Sequence, residues 1–267
     1  MHTELETRYS AMTGETLAFV QAGLDSEEPI VFIHGFGGDA STWAGLQKEL
    51  SQNRPTYAFD LPSHGGSLNW PELGNAVKSA RALSQSFDVL GLKKVHLVGH
   101  SLGGAIASLI AMRTPDKVAS LTLVAPGGFG EEINASALQA YAKKVSIEAQ
   151  LEILKPFFGP DFAIPQALVE HYNSSRAVDG AAGALAAIAG SFLLDGKQGV
   201  LPLAKIAELP MPISLIWGTE DGILPYAQTQ GLPEKIALHS IENAGHMLQI
   251  ECPQEVLQVI RKTVGLA

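Results

Sequence analysis

Val95-His96-Leu97-Val98-Gly99-His100-Ser101-Leu102-Gly103-Gly104 is the stretch on which the reading of this chain turns. Four residues of strand character run into a Gly-x-Ser-x-Gly, and residues 102–113 continue with helical character. A sharp strand-to-helix turn needs small residues beside the serine, and it lifts the hydroxyl out over the edge of a sheet. Ser101 is therefore a candidate nucleophile. The plainer alternative is a glycine-rich turn that only packs a helix on a strand.

Outward from this turn, short apolar runs alternate with longer segments of helical period. The strand candidates are residues 17–21, 30–34, 56–60, 95–99, 121–125, 213–218 and 236–241. Such alternation predicts an α/β fold with a mostly parallel sheet covered by helices on both faces. Ile30-Val31-Phe32-Ile33 and Leu121-Thr122-Leu123-Val124 are nearly continuously apolar, as strands buried on both faces must be. Ala76, Ala80, Leu83, Phe87 and Leu90 recur at spacings of four and three, one buried helix face. Val256, Ile260 and Val264 repeat the pattern after Pro253, which suits a first helical turn. Between Gly127 and Pro212 the alternation stops. Helix-like stretches at 135–145, 147–154, 165–172 and 181–194 follow one another without a convincing strand. An insertion of that length must fold as a layer of its own. The expected organisation is a core of residues 1–126 and 213–267 with a helical lid, 127–212, over the carboxyl edge of the sheet.

A chain of 267 residues can bury a full core without metal or disulfide support. With 18 Lys and Arg against 27 Asp and Glu the net charge is −9, so no basic face is expected for nucleic acid or an anionic membrane. The single cysteine, Cys252, cannot form an internal disulfide and has no zinc-site spacing, which fits a reducing, cytoplasmic setting. The polar start MHTELETRYS has no leader pattern, so the mature chain is expected to begin where it is written. The uncharged run 95–112 is long enough to span a bilayer, but the turn at 99–104 divides it, so no membrane association is expected.

A serine hydroxyl needs a base, and the base needs an orienting partner. Of eight histidines, His246 lies on a loop after the last strand candidate, where the carboxyl edge should be. His34 and His100 are tied to glycine-rich turns, His96 and His239 are mid-strand, and His2, His64 and His171 lie on the terminus, a loop and the lid. Asp221 follows the strand 213–217 directly and is preferred over Glu220 as the orienting carboxylate. The chain order Ser101, Asp221, His246 is the one expected for a hydrolase of this architecture. Backbone N–H groups are the natural donors to an oxyanion, and Leu102, together with Phe36 in His34-Gly35-Phe36-Gly37-Gly38, can supply them. A phosphate-cradling turn is the alternative for that loop, but the lysine of a P-loop is missing. Phe36, Leu102, Phe129, Leu224 and Met247 flank these loops and are candidate substrate contacts.

With these residues in hand, the chain resembles the α/β-hydrolase superfamily along almost its whole length. HGFGG at 34–38, DLPSHGGS at 60–67, GHSLGG at 99–104, GTEDGILP at 218–225 and NAGHM at 243–247 fall in the family's order. The resemblance implies an eight-strand sheet, a lid between strands six and seven and an acyl-serine intermediate. It leaves one strand to be found near the N-terminus. Ser63 stands where the family usually has glycine, which bears on the turn there. Residues 6–23 and the HGFGGDASTW loop look like the hydrolase-like C-terminal domain of acetoin dehydrogenase acetyltransferase subunits. That likeness implies an acyl thioester substrate and association with a dehydrogenase complex.

The expected activity is hydrolysis of a small or medium acyl ester or thioester, with a small-molecule acyl substrate, no cofactor and no metal. Acyl transfer, perhydrolysis and carbon–carbon bond hydrolysis use the same residues. A ligand receptor of slow or no turnover is the alternative from another class. The residues leave the oligomeric state, including a homo-oligomer, open.

Overall fold

In the structure, a computed structural model describing residues 7–23 and 28–266, Ile30, Val31, Phe32 and Ile33 are all fully buried. Ile30 and Phe32 enter one core and Val31 and Ile33 another, because successive side chains of a strand leave opposite faces. In chain order the strands are β1 (Thr7–Ser10), β2 (Phe19–Ala22), β3 (Ile30–Ile33), β4 (Thr56–Phe59), β5 (Val95–His100), β6 (Val118–Val124), β7 (Leu193–Leu194), β8 (Lys197–Gln198), β9 (Ile213–Gly218) and β10 (Ala237–Ile241). Eight of them make one sheet in the order β1-β2-β4-β3-β5-β6-β9-β10. β2 pairs antiparallel with both β1 and β4, and the other pairings of this sheet are parallel. β1 supplies the strand left unplaced near the N-terminus.

Two helical layers close the faces. α1 (Ala44–Leu50) packs with the C-terminal α10 (Pro253–Thr263) on the side of Ile30 and Phe32. α2 (Ala76–Val89) and α3 (Leu102–Arg113) pack together on the other. Fully burying a Leu, Ile or Phe side chain stabilises by about 1.5–3 kcal/mol, and both layers are dense in them. The uncharged run 95–112 resolves into β5 and α3, and among the described residues no helix is long and apolar enough to cross a membrane.

Parallel pairing brings the carboxyl ends of β3, β5, β6, β9 and β10 to one edge. Ile33 lies opposite Gly99, His100 opposite Val124, Val124 opposite Ile216, and Gly218 opposite Ile241. Between β6 and β9 run the helices α4 (Ala135–Tyr141), α5 (Ile147–Leu154), α6 (Gln166–Ala177), α7 (Ala181–Phe192) and α8 (Leu203–Ala207), of which α4 and α6 bring Tyr141 and Tyr172 to the cavity at Ser101 while α8 packs on α3 toward its Met112 end. Their buried Leu138, Tyr141, Leu154, Tyr172 and Ile188 join the core on the α2–α3 side. The expectation of no strand in this insertion needs correction. β7 and β8 form a two-residue antiparallel hairpin turning at Asp195-Gly196, both at positive φ. Its strands are too short for an alternating pattern to register. The short α9 (Leu248–Glu251) precedes α10.

Ser63, standing where glycine was expected, has φ 68, the left-handed region that glycine enters freely. The turn thus keeps the shape glycine would give it, and its backbone N–H still donates to Ser67 O at 3.0 Å.

Candidate active site

Ser101 sits between the last residue of β5 and the first of α3 with φ 53 and ψ −118, a conformation costly for a residue with a side chain. The turn closes so tightly that a Cβ on Gly103 would lie 2.2 Å from Ile33 O, and one on Gly99 would lie 2.4 Å from Gly103 O. Glycine at both positions lets helix, strand and β3 approach closely enough to hold the serine up. Its carbonyl accepts from Gly104, Ala105 and Gly127 N–H, which fixes the elbow from the other side.

Asp221, just past β9, is buried, whereas the neighbouring Glu220 is exposed. One carboxylate oxygen accepts the N–H groups of Ile223 and Leu224, at 2.9 and 2.8 Å. The other lies 2.8 Å from His246 Nδ1. A carboxylate can only accept, so Nδ1 carries the proton and Nε2 offers a lone pair. The His246 side chain is 2% exposed, and it lines the same cavity as Ser101.

The His246 loop is held by groups that sequence reasoning passed over. Glu251 accepts from Gly245 N–H at 3.0 Å, Met247 N–H at 3.1 Å and Gly159 N–H at 2.7 Å, and burial pushes its carboxyl up. Phe157 O, in the insertion, accepts the His246 and Met247 N–H groups. His100 lies with its ring 4.7 Å from that of His246 and donates from Nε2 to His246 O at 2.9 Å. Burial, helped by the His246 ring, holds His100 well below the usual histidine range, so it is neutral.

The loop after β3 is braced in the same manner. His34 Nδ1 donates to Gly35 O at 2.7 Å and its Nε2 accepts from Leu61 N–H at 3.0 Å. His64 Nδ1 donates to Pro62 O and its Nε2 accepts from Gly37 N–H, both at 3.0 Å. Both histidines must be neutral to accept; burial lowers His34, and burial together with the neighbouring His34 takes His64 down to about 3. Asp60 accepts Ala40 N–H at 2.7 Å and Gly66 N–H at 2.8 Å, and its burial raises its carboxyl. Among the described residues the Phe36 N–H meets no acceptor, and Leu102 N–H opens α3 without an intrahelical one. These anchors are invisible in a linear sequence because each joins segments far apart in the chain. The histidines in HGFGG and DLPSHGG were signals, but they could not be told from ordinary loop residues.

Two chambers meet at Ser101. One is tight, about 10 Å³, the threshold for a single water, and is walled by Gly35, Tyr141, Phe157, Tyr172, His246 and Met247. The other, about 580 Å³, is walled mainly by apolar side chains of α3, α7, the β7–β8 hairpin and the 199–201 segment. Phe36, Ser101 and Leu138 border both. Of the expected substrate contacts, Phe36 lies on both chambers, Leu102 and Leu224 on the large one and Met247 on the tight one. Phe129 lies on neither, and that expectation is corrected. It is buried with its ring edge-on to Trp217 at 6.1 Å, because its chain position near the edge does not fix which way the side chain turns.

His96 pairs with Ser120, His171 with Asp39, and His239 lies on β10, while His2 is outside the described residues. Among the described residues no group of three or more His, Cys, Asp or Glu side chains could hold a metal ion.

Comparison with known proteins agrees with this architecture. A sequence profile described as the alpha/beta hydrolase family matches residues 30–259. The chain is 31% identical over 245 residues to the dihydrolipoyllysine-residue acetyltransferase component of the acetoin cleaving system from Pseudomonas putida. It is 28% identical over 240 residues to the protein of the same name from Cupriavidus necator. These alignments take in 92% and 89% of this chain but 65% and 64% of the relatives, so it spans less than two thirds of their length. A solved meta-cleavage product hydrolase from Pseudomonas fluorescens superposes with a TM-score of 0.81 at 20% identity, over 94% of this chain and 95% of that one, a likeness of fold. Since the profile runs from β3 into α10, across every loop of the carboxyl edge, the chain belongs to the alpha/beta hydrolase family.

Proposed function

We propose that the chain is a serine hydrolase that cleaves a small or medium acyl ester or thioester through an acyl-serine intermediate. One observation carries this reading: His246 Nδ1 lies 2.8 Å from the buried Asp221 carboxylate, and its ring borders the cavity onto which Ser101 opens. Three side chains from distant parts of the chain have no packing reason to meet in that polar arrangement.

In the proposed reaction, Ser101 Oγ attacks the acyl carbonyl as His246 Nε2 takes its proton, while Asp221 holds the tautomer and balances the imidazolium. The carbonyl oxygen becomes negative facing the N–H groups of Phe36 and Leu102, donors set before the charge appears. His246 then gives its proton to the departing oxygen or sulfur as the bond from carbon to that atom breaks. Water, deprotonated by the same imidazole, releases the acid and restores Ser101. Residues 127–212 serve as a lid that covers the edge during this cycle.

Acyl transfer to a nucleophile other than water is a second reading, favoured by the acetyltransferase name of the two relatives. Because those relatives are named as components of an acetoin cleaving system, the same names support association with a multi-component enzyme system. Labelling with diisopropyl fluorophosphate followed by peptide mapping tests the main reading. The expected result is one adduct, on Ser101; an adduct elsewhere, or none in a preparation that turns over esters, overturns it.

A further inference from the structure

The two chambers differ in which reacting group they touch, and that difference assigns the two halves of a substrate. The inference rests on the acyl-serine reading. His246 must reach the leaving group to protonate it. It borders the tight chamber and not the large one. The leaving group therefore belongs between His246 and the roof of Tyr141, Phe157 and Tyr172, where there is room for about one water-sized sphere, about 10 Å³. The large chamber touches Ser101 and the Phe36 and Leu102 side chains, whose backbone would hold the oxyanion, but not the base. A group extending from the carbonyl away from the leaving atom runs into it.

We infer that the enzyme is specific for esters with an extended unbranched acyl chain and a small leaving alcohol, the chain lying in the 580 Å³ chamber along Leu102, Leu109, Phe192 and Leu201. The mouth of the chamber supports an amphiphilic chain. Val77, Leu194 and Val200 stand on its rim and are 50%, 77% and 51% exposed. Exposed large apolar side chains are few on this surface, and three of them ring one opening. A chain that outgrows the chamber passes between them and keeps apolar contact on leaving. A bulky leaving group, such as a long alcohol or a pantetheine thiol, finds no equivalent space beside His246.

The test uses the isomers methyl octanoate and heptyl acetate, which have the same atoms with the chain on opposite sides of the ester. Release of acid is followed by pH-stat titration on the full chain. The expected result is a kcat/KM at least about 100-fold higher for methyl octanoate. Within a series of methyl esters from acetate upward, kcat/KM should rise about threefold to fourfold per methylene until the chain reaches the rim, and then level off. In Leu109→Trp, and independently in Leu201→Trp, the ratio of methyl octanoate to methyl acetate turnover should fall at least about tenfold. Equal turnover of the isomers, or preference for heptyl acetate, overturns the assignment, as does failure to cleave either by protein whose Ser101 takes up the organophosphate. Ser101→Ala separates the two levels of the proposal: unchanged ester turnover in that variant overturns the acyl-serine reading itself, whereas an inactive variant beside a reversed isomer preference overturns only the placement of the chain.

Discussion

The loops at the carboxyl edge of the sheet and the helical insertion above them contribute to the site in different ways. The edge places Ser101 and His246 on one cavity, with Asp221 against His246 and Phe36 beside Ser101, through parallel strand register, and the groups that brace these loops are buried and hydrogen-bonded. The insertion supplies walls: Tyr141, Phe157 and Tyr172 on the tight side, Leu138, Phe192 and Leu201 on the large side. Groups that make and break bonds need placement to a fraction of an ångström, which rigid strand ends provide. Walls need only shape, which the helices and connecting segments of the insertion supply from outside the sheet.

The sharpest way to break this comparison is to remove the groups at the edge. Ser101→Ala and His246→Ala should each lower kcat by about 10⁴-fold or more, and the double variant should lose little beyond either single one, because such groups act as a unit. Steady-state kinetics on a methyl ester measures it. Additive losses would mean that the two side chains work independently.

A smaller effect is expected at the joint between the two regions. Glu251 holds Gly159 of the insertion and Gly245 and Met247 of the histidine loop at once. Glu251→Gln replaces one acceptor oxygen with a donor facing N–H groups. It should cost about 2 kcal/mol of stability, read from urea unfolding, and lower kcat more than it changes KM.

Acidity separates the regions least, but with opposite signs. At the edge, burial holds His34, His64 and His100 neutral in the folded state, below the unfolded value of 6.5. The stability they confer is full above pH 6.5 and is lost as the pH falls below it, His64 contributing down to its folded value of about 3. Each such group lowers stability by about 1.4 kcal/mol per pH unit over its window. In the insertion, His171 is raised by its 2.8 Å hydrogen bond to Asp39, so its smaller contribution is present in acid and lost as the pH rises through its folded value. Urea unfolding between pH 5 and 7 should show stability falling with acid, and His64→Gln should flatten the slope. A slope unchanged in that variant would remove His64 from the account.

What could be read in the chain follows the same division. β3, β5, β9 and the elbow at Ser101 are local patterns, an apolar run ending in small residues, and they are legible as such. So is the order in which Ser101, Asp221 and His246 occur. β1 was not, since its side chains are mostly exposed and Thr7-Arg8-Tyr9-Ser10 has no alternation. The helices of the insertion were legible as helices, but not the hairpin between them or the chamber that it closes, because a cavity is a product of contacts among α3, α7 and the 199–201 segment. Glu251, His64 and His34 escaped for the same reason, each acting on a backbone group of a different segment.

The attachment of the insertion near Phe157 and Gly159 has a mechanical consequence. Phe157 O accepts from His246 and Met247 N–H and the Glu251 carboxylate from Gly159, Gly245 and Met247 N–H, five hydrogen bonds that tie these two residues and the histidine loop into a single knot. Phe157, which walls the tight chamber, and the backbone of the imidazole-bearing residue are therefore held as one piece, so a displacement of one is passed directly to the other.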